Sequence, residues 1–387
     1  MISKDYQNHM QKNTFKDKIN IYFRNIDKKI LASFILLFLL GLFFSFSSTS
    51  SLAGERLNKD FYFFFSKHLI FVFFALTIMI LISFIELNFL NKCIVPVFVL
   101  LFIFLILVPL IGVEVKGSKR WLNLYFLRLQ PIEILKPFFI LLTAKLLSLD
   151  KLKTSNGSYF FSFLILVSII ILLINQPDLG QSILLIGTWI SIVFISGISL
   201  YYIISFFSLS VISLLTLILS FPDKFGYILK RIITFMDPSK GDSYSSQSLR
   251  ALDAIKQGGL KGQGMGEGIL KDSVPEAHTD YIIAVITEEF GSIISIFLIL
   301  IFLFIVFRII KITVLETNKF LKLSLCGLSS ILMFQTFIHV GVNTSLLPST
   351  GMTLPFISYG GSSLLGSAIL AGAILNYTKK RFTDEEL

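Results

Sequence analysis

Ten runs of mostly apolar residues, each about as long as a bilayer is thick, recur along the chain. They lie at about 30–48, 69–88, 93–113, 131–148, 160–175, 181–198, 200–221, 280–310, 321–345 and 355–376. About 20 apolar residues carry a helix across hydrocarbon. In lipid every backbone N–H and C=O needs an internal partner, so such runs cross as helices. The expected fold is therefore all-α, a polytopic integral membrane helical bundle of about ten transmembrane helices. The sixth and seventh runs nearly touch, which leaves nine open. Composition agrees: charged residues are 15% of the chain, against about 25% in a soluble domain.

Charge placement bears on the count. The N-terminal tail carries Lys4, Lys12, Lys16, Lys18, Arg24, Lys28 and Lys29, and the C-terminal tail Lys379, Lys380 and Arg381. Basic tails stay on the cytoplasmic side, so both termini are expected there, which requires an even number of spans. The division that follows is a tail over 1–28, one membrane domain over 29–377 and a second tail over 378–387. A long outer loop over about 222–278 joins the seventh and eighth helices. The loop at 114–129 falls outside despite Lys116, Lys119, Arg120 and Arg128, which implies that these bases are held there for a task. The net charge of +10 is mostly topology, and no basic patch interleaved with aromatics points to nucleic acid. Cys93 and Cys326 fall in apolar runs and read as small core residues rather than a disulfide. The first run has no cleavage site after it and reads as a retained helix.

Within the long loop, SSQSLRALDAIKQGG has the spacing of a short amphipathic helix capped by Ser246 and stopped at Gly258 and Gly259. GGLKGQGMGEG follows. It is either a flexible connector or a backbone nest for a phosphate; without a GKS/T ending it is no nucleotide loop.

Polar groups inside the runs carry the functional information, since a charge at mid-bilayer costs about 2.5–3.5 kcal/mol. Residues 278–291 read HTDYIIAVITEEFG. Asp280 is placed at the outer interface, where the long loop re-enters the membrane; it is either a functional carboxylate or an N-cap beside His278 and Thr279. Glu288 is expected about 12 Å deeper on the same helix. Glu289 lies about 100° round from it, so at least one must face the interior. The fourth run opens QPIEILKP, in which Glu133 and Lys136 can pair or Lys136 can hold an anion. Pro137 is expected to kink that helix beside a polar cavity. Gln335, His339 and Asn343 share an inward face suited to interhelical hydrogen bonds. Asp178 sits in a turn, NQPDLGQS. In SYGGSS, Gly360 and Gly361 permit close approach, while Ser362 and Ser363 offer hydroxyls. Gathered on the outer face are Lys116, Lys119, Arg120, Trp121, Lys136, Asp178, Asp280 and SYGGSS. Bases, acids and hydroxyls beside apolar walls suit a lipid-linked anionic substrate. Neither Cys/His metal spacing nor a Gly-x-Ser-x-Gly elbow is present.

The stretches KGSKRWLNL, LQPIEILKP, NQPDLGQS, GGLKGQGMGEG with VPEAHTDYIIAVITEEFG, and LLPSTGMTLPFISYGGSSLL resemble those of the SEDS family, the membrane peptidoglycan polymerases. They run from about 116 to 365 in the family's order. The resemblance implies a ten-helix bundle in the bacterial inner membrane with its site on the periplasmic side. The implied reaction transfers the disaccharide-peptide of lipid II to another lipid II or a growing strand, releasing undecaprenyl pyrophosphate. Asp280, in HTDY, inherits the role of the family's essential aspartate, that of general base. Arg120 and Lys136 inherit roles at the pyrophosphate. Glu133, Asp178, His278, Thr279, Glu288 and Glu289 are further candidates for the substrate site, with Lys116, Trp121 and Ser358 to Ser362. A divalent cation, Mg or Mn, is conceivable, with no dedicated cage for it. Two departures are Ile132, where Ser or Ala is common, and Tyr281, where Phe is usual. GMTLPFISYGG and FMDPSKGD stand closer to the division polymerase of the family, at the septum, than to the elongation polymerase. The implied partners are a class B penicillin-binding protein transpeptidase and other divisome membrane proteins. Two other readings use the same charges: a lipid II flippase and a non-catalytic scaffold of the division machinery.

Overall fold

A computed structural model of the chain describes residues 20, 22–48, 63–115, 117–124, 127–149, 157–199 and 201–380, the last stretch with short interruptions between 203 and 221, at 238–242 and at 275. Lys116, most of both basic tails and the DPSKGD turn from 238 lie outside the described residues. The spanning helices are α1 (Lys28–Ser48), α2 (Phe63–Phe84), α3 (Leu87–Ile111), α4 (Pro131–Ser148), α5 (Gly157–Asn175) and α6 (Leu179–Ile195). After α7 (Pro222–Met236) and α8 (Ser243–Gly258) in the long loop come α9 (Ile282–Leu315), α10 (Lys319–Asn343) and α11 (Gly361–Tyr377). Residues described between 201 and 220 are helical too. The expected polytopic bundle is thus present.

Burial sorts the helices into layers. In the most apolar window of α10, 72% of residues are buried, against 22% in α2 and 28% in α3 and α5. The polar α10 therefore stands inside, as do α4 and α11, whose residues are mostly buried, and the most uniformly apolar helices face lipid. Lipid gives little hydrophobic drive between helices, so close packing at small residues matters. A Cβ on Gly41 of α1 would lie 2.5 Å from the Phe356 carbonyl oxygen, so only glycine lets these backbones meet.

The two ends of the bundle differ. At the tail end Lys380 N–H donates to Asn25 O (2.9 Å), and Arg308 pairs with Asp27 (2.9 Å). Both ends of the membrane domain thus meet on one side. Here the α2–α3 turn falls at Ile85 and Glu86, earlier than the apolar runs place it. Asn376 explains the shift: its Nδ2 donates to the carbonyls of Ile82 (3.0 Å) and Ile85 (2.6 Å) that the turn frees.

At the loop end, residues 113–129 form a three-stranded antiparallel sheet, β1 (Val113–Val115), β2 (Ser118–Leu124) and β3 (Leu127–Leu129), paired in chain order. Two further irregularities define this end. The chain from 350 to 360 is not helical, yet Met352 and Leu354 to Ser358 are buried. Phe356 packs against Phe34, Phe38 and Phe302, well inside α1 and α9. This is a re-entrant segment, allowed at membrane depth because protein covers it. Its polar backbone is answered from α10 and from within: His339 Nδ1 lies 2.7 Å from Met352 O, Gln335 Nε2 donates to Thr353 O (3.0 Å), and Leu354 N donates to Ser358 Oγ (2.8 Å). The last run expected to cross from 355 therefore begins its helix at Gly361.

The second irregularity breaks α9. Gly291 has φ 84° and ψ 165°, splitting off a short helix over 282–290 from the membrane-crossing part. The glycine-rich stretch fills the break. Gln263 N and Gly264 N donate to Glu288 O (2.9 Å) and Glu289 O (3.0 Å), and Ser292 N donates to Gly259 O (2.9 Å). A Cβ on Gly262 would lie 2.3 Å from Glu289 O, which explains why this sequence is so poor in side chains. These backbone bonds tie the stretch to the broken helix, so it is not a free connector, although most residues between 259 and 267 are exposed.

Candidate active site

Asp280 stands at the start of this short helix, and two elements fix its backbone. Tyr359 N donates to His278 O (2.9 Å), Ser358 Oγ donates to Thr279 O (2.6 Å), and Asn343 Nδ2 donates to Asp280 O (3.1 Å). Three successive carbonyls are thus held by the re-entrant segment and α10, so the carboxylate projects from a rigid base. The side chain is half-buried. It borders Gly351, an exposed position with φ 70°: a Cβ there would lie 3.5 Å from Asp280 Oδ2 and 3.9 Å from an Arg120 terminal nitrogen. Acid and base therefore face one shared, open space.

Arg120 reaches that space from β2. Its Nε donates to Gln176 O (3.1 Å) and a terminal nitrogen to Pro177 O, both in the α5–α6 turn. Asp178, next in that turn, is buried and caps α6 through Gln181 N (3.4 Å). Burial pushes its carboxyl above the usual range, and the Arg120 charge opposes the shift. Trp121 is half-buried and Lys119 exposed on the same strand.

Lys136 and Glu133 are elsewhere. Both are buried, at 3% and 5% exposure, and paired at 2.8 Å. Gln335 Oε1 accepts from Lys136 Nζ (3.2 Å), and Gln181 Nε2 donates to Glu133 (2.5 Å). Beside Pro137, the side chains of Glu133, Lys136 and Gln335 line an internal cavity with room for about one water molecule. The helix continues through Pro137. The structure therefore brings Asp280 and Arg120 together and seats the Glu133–Lys136 pair in the interior.

Glu288 and Glu289 are sealed, at 0% and 1% exposure. Glu289 pairs with Lys271 (2.5 Å) and accepts from Ser47 at the loop end of α1; Glu288 accepts from Leu270 N (2.7 Å). Contact with Ser47 places Glu289 level with the end of α1, so the short helix does not carry these acids about 12 Å deeper as a continuous span would. They anchor the one-turn 3₁₀ helix Leu270–Ser273 of the long loop.

The remaining candidates surround the HTDY turn. His278, Phe64 and Tyr359 form a ring cluster with centroids 5.2–5.7 Å apart, and His68 stacks near Tyr359 at 5.8 Å. Thr279 Oγ1 donates to Glu276 (2.9 Å). Ser362 Oγ accepts from Gln130 N (2.9 Å), joining α11 to the start of α4. Gly361 packs against the Phe71 ring, and Gly360 precedes α11 in extended backbone.

The sequence reading passed over α7. Arg231 donates to Ser349 O (3.2 Å), two residues before Gly351, and Tyr227 donates to Ile174 O (3.2 Å). Burial pushes the Tyr227 phenol up to about 12, so it stays a donor. The missed signal was Leu229, Ile232, Ile233 and Met236 at helical spacing, with Arg231 opposite.

The fold is that of a polytopic membrane protein with Asp280 and Arg120 brought together at one end. A family model described as cell cycle protein, covering FtsW, RodA and SpoVE, matches residues 27–382. The chain belongs to this family, the SEDS family that its motifs resemble. It is 31% identical over 374 residues to a probable peptidoglycan glycosyltransferase FtsW of Caulobacter vibrioides, covering 96% of this chain and 94% of that protein. It is 36% identical over 365 residues to a probable peptidoglycan glycosyltransferase FtsW of Buchnera aphidicola subsp. Acyrthosiphon pisum, covering 90% and 88%. Among solved structures it shares its fold with a chain of a peptidoglycan synthase complex that coordinates polymerization and crosslinking. There the TM-score is 0.74 and the identity 24%, over 91% of this chain and 97% of that one. With the rod shape determining protein RodA of Thermus thermophilus the TM-score is 0.66 and the identity 22%, over 91% and 96%.

Proposed function

We propose that this chain is a peptidoglycan glycosyltransferase that polymerises lipid II during septal wall synthesis, with Asp280 as general base. The observation that carries the reading is a rigidly held, half-exposed Asp280 sharing the space beside Gly351 with Arg120. The names of the relatives support the same activity.

A sugar hydroxyl is a weak nucleophile. As its oxygen bonds to the anomeric carbon of the donor, the Asp280 carboxylate takes its proton. The bond from that carbon to the pyrophosphate oxygen breaks, and the electron pair leaves with undecaprenyl pyrophosphate. Arg120 faces the charge that gathers there. Lys136 acts at a distance in this account, holding Gln335 and hence Thr353 of the re-entrant segment in register.

Among the described residues no three His, Cys, Asp or Glu side chains are grouped to hold a metal ion, and no step above is routed through one. Activity with Mg or Mn against activity in a chelator decides whether a cation shares the pyrophosphate charge. The reading places the protein in the bacterial inner membrane at the septum, with the loop end periplasmic and both tails cytoplasmic. Its partners are a class B penicillin-binding protein and other divisome membrane proteins.

The test is product stoichiometry. Purified protein with labelled lipid II should release one undecaprenyl pyrophosphate per disaccharide added to polymer. Movement of intact lipid II across vesicles, with neither polymer nor pyrophosphate formed, would instead establish a flippase.

A further inference from the structure

Helix α7 is amphipathic inside out. Leu229, Ile232, Ile233 and Met236 fall on one face and are exposed, while Tyr227, Arg231 and Thr234 fall on the other and are half-buried or buried. A helix on a water-facing surface has the opposite arrangement. An apolar outside with a charged inside is what lipid on one flank and polar protein groups on the other select. The ends of this inner face are fixed: Tyr227 bonds the last turn of α5, and Arg231 bonds Ser349. Tyr281, the neighbour of Asp280, feels both the Asp280 and the Arg231 charge.

Like the cations matched to the family's motifs, Arg231 already has protein partners, Ser349 O among them. Lys136 is sealed with Glu133, and Arg120 is held by two carbonyls beside Asp178. Arg231 stands between the exposed apolar stripe of α7 and Ser349, two residues before the Gly351 that borders Asp280.

We propose that Arg231 is a binding residue for the diphosphate of the prenyl-linked substrate and product, at a lateral opening whose outer lip is the apolar face of α7. The inference deepens the function proposed above and rests on it. A guanidinium suits the task, since its planar fork matches phosphate oxygens. The prenyl chain stays in the bilayer against Leu229, Ile232, Ile233 and Met236, so only the head leaves lipid.

The experiment measures binding of fluorescent undecaprenyl diphosphate to the full chain in detergent, with inorganic pyrophosphate, undecaprenol and phosphatidylglycerol as competitors. Arg231→Gln should weaken binding about tenfold or more, the worth of a charge-assisted hydrogen bond. It should raise the KM for lipid II by a similar factor and change kcat little. Arg231→Lys, which keeps the charge but loses the fork, should fall between, and it decides the matter where the Gln variant fails to fold. Equal binding by wild type and both Arg231 variants, or displacement by phosphatidylglycerol as readily as by unlabelled undecaprenyl diphosphate, overturns the inference. Arg231-dependent binding by a protein that makes no polymer would remove the proposed function and leave this site standing. Polymer formed with KM and binding untouched in the variants would remove only the site.

Discussion

The short helix over 282–290 carries acid at both ends, and the two ends have opposite fates. Asp280, just before it, is half-exposed, borders an open space and is fixed through its backbone. Glu288 and Glu289, at the far end, are sealed and spend their carboxylates on Lys271, Ser47 and a loop amide. Residue type does not separate a reactive carboxylate from a structural one; access and partners do. The sealed end braces the open end, because the long loop, α1 and the helix bearing Asp280 meet at Glu289.

The largest loss is expected at Asp280. Asparagine there should lower polymerisation by at least about hundredfold, the scale of a lost general base, while the melting temperature stays near that of wild type. At the sealed end the effect should be on stability. Lys271→Met strands the Glu289 charge and should cost about 3–5 kcal/mol, and the double variant Lys271→Met/Glu289→Met should recover most of it. Equal melting of single and double variants would show that the pair is not a sealed one. Gly291→Ala should cost about 1–3 kcal/mol, because it combines a positive φ with a Cβ 2.2 Å from Leu260 O; a neutral result would mean that the break is absent. The smallest effect, about 1 kcal/mol, is expected for Asn343→Ala. Because Asn343 holds the Asp280 carbonyl, kcat should fall while KM stays put.

Much of this was legible in the residues. Apolar runs gave the bundle, and HTDY gave Asp280 a place where the loop returns to the membrane. The Gly258 stop of α8 was also readable, although the helix begins at Ser243 rather than at Ser246. Long-range backbone pairing was not. Nothing local in EEFGS says that Gly291 breaks the helix, since the freed carbonyls are met by amides some 25 residues earlier. Nothing local in TLPFIS says that it dips into the bundle, because its partners sit on α10 and α1. Spacing leaves Glu133 and Lys136 either paired or with Lys136 holding an anion, and in the structure they pair; their interior position depends on Gln181 and Gln335 from two other helices.

One measurement reaches the centre of the account: lipid II polymerisation per folded molecule, compared among wild type, Asp280→Asn and Glu289→Gln. Loss in the Asp280 variant, with substantial polymer from whatever fraction of the Glu289 variant folds, is the predicted outcome. Polymer from Asp280→Asn at the wild-type rate, or its loss only in folded Glu289→Gln, would contradict the division of labour between the two ends of this helix.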